Sequence, residues 1–192
     1  MDFWGIFDLQ DEDLFYMIEA NPRECGRKSA KKRKLQNEEK HMCKTVNYPL
    51  LLQQLQALTE DVPYETANLA NAAALLWQTL PDINWAGFYK MENGELALGP
   101  FQGKPACVRI PMGKGVCGTA AAEDQVQLVY NVHEFPGHIA CDSASNAEIV
   151  VPIHKDGKIW GVLDIDSPLV GRFTLEDRAG LEQVAAVLEE IL

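Results

Sequence analysis

The chain has 192 residues, 47% of them hydrophobic, and a formal net charge of -11, enough apolar material for one substantial core and too little chain for two full domains. Residues 1–44 balance nine basic side chains against nine acidic ones, whereas the rest sets eight against nineteen. So acidic a body excludes nucleic-acid binding, which needs clustered Lys and Arg. With no apolar run near the roughly 18 residues of a membrane span, and an acidic start, MDFWGIFDLQDED, unlike a secretory signal, it points to the cytoplasm.

A change of texture near residue 42 sets the boundary expected here: an extension over 1–47 and a folded domain over 48–192. The extension suggests a short helix at EDLFYMIEANP. Its basic run RKSAKKRKLQNEEK reads as a solvated leader, with Met42 a natural start and a nuclear-localisation patch the weaker reading. From Tyr48 to Glu60 and from Tyr64 to Leu80, apolar residues recur three and four apart, the spacing of two amphipathic helices. Period two then takes over. INWAGFYK and ELALGPFQG flank Glu92-Asn93-Gly94 as a hairpin, and ACVRIP reads as a third strand.

After the turn MGKG, the small residues of VCGTAAAE suit a short helix, VQLVYNV a strand, and HEFPGHIACDSASN a loop. EIVVPIHKDGKIWGVLDIDS is two strands around Asp156-Gly157, the strongest hairpin signal in the chain. FTLEDRAGLEQVAAVLEEIL opens with Thr174 as N-cap and Asp177 three residues on, and runs as a closing helix. The expected architecture is α+β: about six mostly antiparallel strands, N- and C-terminal helices on one face, and the ligand site under loops on the other.

Five cysteines are an odd number, and a reducing compartment favours free, catalytic or metal-bound thiols over a disulfide framework. A metal site built from Cys107, Cys117, Cys141 and His138 lacks the usual close pairing of ligands, since His138 and Cys141 alone are near each other in sequence. Packing as small apolar residues suits any one strand cysteine. A redox role draws on local chemistry: Cys117 begins a short helix, where unpaired amides lower a thiol pKa, and Cys141 sits among small residues three after His138.

Asp164 and Asp166 alternate on one strand face, with Glu148 opening the neighbouring strand. Facing a pocket, they would repel one another, keeping a proton on at least one and leaving the others for an ammonium group. Otherwise they mark a wet face. Trp85 and Tyr89, four apart on INWAGFYK, are core aromatics or a wall for a methylated sulfur.

Residues 48–192 closely resemble the free methionine-(R)-sulfoxide reductases, a family built on the GAF domain, through NWAGFY, LGPFQGKPACVRIPMGKGVCGTAAA, FPGHIACDSASNAEIVVPI and GVLDIDSP. Asn131 departs from the family, which usually has an Asp there. The resemblance implies that Cys141 attacks the sulfoxide sulfur, releases methionine and becomes a sulfenic acid, and that Cys107 resolves it as a disulfide. Cys117 would be a second recycling thiol and thioredoxin the reductant. By the same resemblance Trp85 and Tyr89 line the methyl-sulfur pocket, while Glu148, Asp164 and Asp166 hold the substrate amine and protonate the oxygen. No cofactor or metal is implied, and a homodimer is allowed. The competing readings are a GAF domain that senses a small ligand without reacting and a thiol switch that senses oxidants.

Overall fold

The computed structural model describes residues 46–139 and 142–192. The helix expected at EDLFYMIEANP, and the positions of Cys25, Cys43 and Cys141, lie outside the described residues.

Two helices come first, α1 (Tyr48–Thr59) and α2 (Glu65–Thr79), then strands β1 (Trp85–Glu92), β2 (Glu95–Gly103) and β3 (Arg109–Pro111). Helix α3 (Gly115–Glu123), β4 (Gln127–Val129), β5 (Ala147–Lys155), β6 (Lys158–Ser167) and α4 (Leu175–Glu189) follow. The strands form one antiparallel sheet in the order β3-β2-β1-β6-β5-β4. This is the α+β architecture the sequence predicts. Its central hairpin turns on Asp156 and Gly157, both at positive φ, and β1 and β2 turn on Asn93 and Gly94 in the same way, which fits the twist of paired strands.

Alternation along the strands sorts side chains between two faces. Ala86, Phe88, Ile149, Val151, Ile153, Leu163 and Ile165 face α1, α2 and α4 in the larger apolar core. Trp85, Tyr89, Val150 and Val162 face the other way, where they meet Val116, Cys117, Ala120 and Ala121 of α3. The short helix therefore shares the site side with the loops.

At the start of α4, Thr174 and Asp177 form the reciprocal capping box. Asp177 also accepts hydrogen bonds from the Tyr48 hydroxyl (2.8 Å) and Arg172 Nη1 (3.1 Å), joining the first helix to the last.

Two expected strands are shorter than their apolar runs. Residues 106 and 107 leave the ladder, while the Val108 carbonyl still accepts from the Leu98 amide (3.0 Å), because side chains engage the backbone here: Trp85 Nε1 donates to the Lys104 carbonyl (3.1 Å) and Tyr89 Oη to the Cys107 carbonyl (3.0 Å). VQLVYNV keeps β4 only to Val129. Beyond it the Tyr130 carbonyl accepts from the Gly171 amide, and Asn131 caps a single 3-10 turn by accepting from the His133 amide, as an Asp would.

Candidate active site

β5 and β6 pair so that Glu148 lies opposite Asp166, and Val150 opposite Asp164. The three acids therefore project to the side of the sheet away from the apolar core. With Tyr89, Cys117, His138, Ile139 and the first turn of α3 they line a cavity of ≈ 30 Å³. Glu148 and Asp164 are buried and Asp166 is half-buried, and burial is the first reason each carboxyl is pushed above its usual range. Neighbouring carboxylates add to the rise at Glu148 and Asp166. The raised pKa values expected from mutual repulsion are present, with desolvation the larger cause.

Asp164 differs from the other two. It rises only to about 6, because hydrogen bonding with Cys117 and Glu148 offsets part of the burial penalty, and its Oδ1 is buried without a hydrogen-bond partner. A buried acceptor left unsatisfied costs about 1–3 kcal/mol. It is a place where a cationic donor from a ligand would be stabilised.

The aromatic wall is layered. Tyr89 borders the cavity, and Trp85 stands behind it, stacked on Tyr89 (centroids 5.8 Å apart) and on Phe101 (5.2 Å). Trp85 does not border the cavity. Tyr89 and Trp85 nevertheless hold the Cys107 segment through the two carbonyls described above, so the wall and that cysteine are mechanically coupled.

Cys117 reverses its expectation. The first turn of a helix favours a thiolate, but this thiol is 3% exposed, and burial followed by the charges of Asp164 and Glu148 pushes its pKa up. Its Sγ lies 3.7 Å from Glu148 Oε1. Cys117, Glu148 and Asp164 place ligand atoms within 4.8 Å of one another, a spacing a metal ion could bridge, yet burial favours the protonated forms of Cys117 and Glu148, which do not coordinate. The metal set considered from sequence is also divided, because Cys107 is disulfide-bonded whereas Cys117 is a free thiol.

His138 borders the same cavity with its pKa lowered by burial and then by His133. Its Nε2 is 3.9 Å from Glu148 Oε2, beyond hydrogen-bonding distance, so a neutral imidazole faces a protonated carboxyl.

The glycine turn before α3 is shaped for close approach. Gly115 has φ +61°, and a Cβ on Gly118 would clash with the Pro111 carbonyl. No side chain caps this helix, and no acid lies in its first turn. Gly115, Val116 and Cys117 of this first turn border the cavity, so the helix N-terminus brings a partial positive charge to it, a setting that suits a carboxylate.

Sequence reading missed the brace beside the site. Asp142 accepts from the Ala144 amide (3.0 Å), from Asn84 Nδ2 (3.3 Å) and from Lys104 Nζ (3.1 Å), and the Ala144 bond is the first cause of its lowered pKa. Asn84 Nδ2 also donates to Ser145 Oγ, and Ser145 hydrogen-bonds Asp166. The available signal was the cluster of small polar residues in CDSASN, which marks a loop that bonds its own backbone.

The GAF domain family matches residues 51–192. The free methionine-R-sulfoxide reductase of Escherichia coli is 57% identical over 151 residues, 79% of this chain and 92% of that protein. Its Saccharomyces cerevisiae namesake is 45% identical over 148 residues, 73% of this chain and 82% of the yeast protein. The structure of the fRMsr of Staphylococcus aureus in complex with substrate superposes with a TM-score of 0.74 at 54% identity, covering 77% of this chain and 97% of that one. With its acids, aromatic wall and glycine turn on the site side of such a sheet, the chain belongs to the GAF family and, within it, to the free methionine-R-sulfoxide reductases.

Proposed function

We propose that this protein reduces free L-methionine (R)-sulfoxide to methionine through a cysteine relay recycled by thioredoxin. The observation that carries the binding half is the set of buried acids with an unpartnered Asp164 Oδ1, set across one cavity from the uncapped N-terminus of α3. A free amino acid is a zwitterion. Its ammonium suits the ionised Asp164, its carboxylate suits the helix amides, and its methyl group suits the face of Tyr89. Peptide-bound methionine offers neither charge, and would leave both polar ends of the site buried and unpaired.

In the chemical half, the Cys141 thiolate attacks the sulfoxide sulfur while a protonated acid, Glu148 or Asp166, gives its proton to the departing oxygen. As the S–O bond of the substrate breaks, the protonated oxygen passes to the Cys141 sulfur, methionine leaves with the sulfur electron pair restored, and Cys141 is left as the sulfenic acid. The Cys107 thiol then attacks that sulfur, water leaves and a disulfide forms. Thioredoxin's dithiol reduces the disulfide and is itself oxidised. That Cys107 is disulfide-bonded here supports a redox part for it. Glu148 and Asp166 suit the donor role because both carboxyls are pushed well above the ordinary range. No described helix is long and apolar enough to cross a membrane, and we place the reaction in the cytoplasm, where such a reductant is kept reduced.

The test is a coupled thioredoxin assay with the separated epimers of free methionine sulfoxide and with the N-acetylated (R) epimer. Turnover of the free (R) epimer alone is expected. Equal turnover of the acetylated compound overturns the zwitterion recognition, and no turnover of any of them favours a ligand-sensing GAF domain.

A further inference from the structure

Cys117 sits in the first turn of α3, packed against Ile110, Val116 and Ala120 at the bottom of the cavity. A sulfur in a relay must be reached in line by another sulfur and must react as a thiolate. This thiol has the opposite setting. It is 3% exposed, its Sγ stands 3.7 Å from Glu148 Oε1 and also hydrogen-bonds Asp164, and its Sγ and the carboxyl oxygens of Glu148 and Asp164 lie within 4.8 Å of one another. The other titratable groups around it are Asp166 on β6, Tyr89 on β1 and His138 in the loop, and none of these is a cation: burial keeps the imidazole neutral.

We propose that Cys117 is a positioning residue of the acid cluster, its S–H serving as a fixed hydrogen-bond donor that keeps one buried carboxylate ionised for the substrate ammonium, and not as a sulfur of the relay. The proposal rests on the amine-binding role assigned to the acids above. Three carboxyls crowded in one buried site cannot all be charged, so hydrogen-bond donors decide where and how readily a negative charge resides. With no cation among them, a neutral donor at the centre of the cluster takes on that part. A thiol does so without adding a charge of its own.

Serine keeps a donor at this position and alanine removes it, with valine as the space-filling counterpart. The measurement is kcat/KM for free methionine (R)-sulfoxide across pH 5–9 with thioredoxin recycling, alongside methionine released per site in the first turnover. For Cys117→Ala and Cys117→Val the acid limb is expected to move up by about half to one pH unit, and KM at pH 6 to rise about three- to tenfold, with recycling intact. Cys117→Ser restores the parental profile to within about twofold. Loss of thioredoxin recycling in the serine variant overturns the proposal and makes Cys117 a relay sulfur. Parental pH profiles in all three variants overturn it as well, leaving a packing residue. Failure of the underlying function shows separately, as an inactive parent enzyme.

Discussion

The two faces of the sheet bury acids in opposite ways. On the helix side Asp177 is 5% exposed and fully engaged: the Tyr48 hydroxyl binds Oδ1, while the Thr174 amide and hydroxyl and Arg172 converge on Oδ2. On the site side Asp164 is as deeply buried, at 6%, yet Oδ1 has no partner, and its neighbours are two further acids. The first arrangement spends its hydrogen bonds on joining α1 to α4. The second leaves capacity for a ligand and destabilises the empty fold, which is the general relation between a stability site and a binding site.

The largest effects that would break this comparison lie at the thiols. Cys141→Ser is expected to abolish turnover even with dithiothreitol, because no other thiol would attack the sulfur; substantial activity in that assay would remove Cys141 from the attacking role. Cys107→Ser should release about one methionine per site and then stall with thioredoxin. Parental cycling rates would reject it as the resolving thiol.

Next come the two aspartates, which should respond with opposite signs. Asp177→Ala leaves the Tyr48 hydroxyl and Arg172 buried without their acceptor and is expected to cost about 3 kcal/mol of stability, with little change in KM. Asp164→Asn should lower kcat/KM by roughly 100-fold and raise the melting temperature at pH 8. The sign follows from its raised carboxyl. An acid whose pKa goes from the ordinary 3.8 to about 6 on folding lets stability fall as pH rises between those values, because the unfolded chain ionises first. The stability gain of Asp164→Asn should therefore be absent below pH 4 and complete above pH 6 in paired thermal melts. A lower melting temperature at pH 8 would contradict the contrast between the faces.

The smallest effect belongs to His154, at the rim between them. Its Nε2 meets Asp124 and its Nδ1 meets Glu189, each at 2.8 Å. Partial burial lowers the imidazole pKa, but the hydrogen bonds to Glu189 and Asp124 outweigh it and leave the pKa raised. A raised imidazole contributes stability that is full below its unfolded pKa and is lost as pH rises through the folded value. His154→Gln should thus lower the melting temperature at pH 6 and matter less at pH 9, modestly, since the groups are partly exposed and screened by salt. A pH-independent difference would show that packing, and not charge, ties α4 to this edge.

Much of the fold was legible because its signals are local. Thr174 with Asp177, Asp156-Gly157, and the alternation of VLDIDS against INWAGFY each act within a few residues. The site's residues were nameable for the same reason, since alternation fixes which side chains share a face. What local pattern could not supply was environment. The helix start predicted an activated thiol at Cys117, but residues 31 and 47 positions later in the chain enclose it with acids. Trp85 shares a strand face with Tyr89 and still stands behind it, because Phe101 and the Lys104 carbonyl hold it there. The Asp142 brace joins side chains as far as 61 positions apart, which no window of sequence displays.

The size of the cavity carries a consequence for rates. At ≈ 30 Å³ it holds about one water, far less than an amino acid of methionine's length. The acids are fixed on paired strands and Tyr89 is tied to the Cys107 carbonyl, whereas the opposite wall, where the Ile139 side chain lies close to Gly115, is not held by the sheet. A site of this size predicts gated capture of the substrate, to be checked by stopped-flow binding of free methionine sulfoxide over a wide concentration range. Apparent affinity scales with the fraction of molecules whose wall has drawn back, each tenfold scarcity of that form weakening binding tenfold. Where the wall must draw back before the substrate enters, the rate of capture levels off with rising substrate concentration at the rate of that movement, short of the diffusion limit.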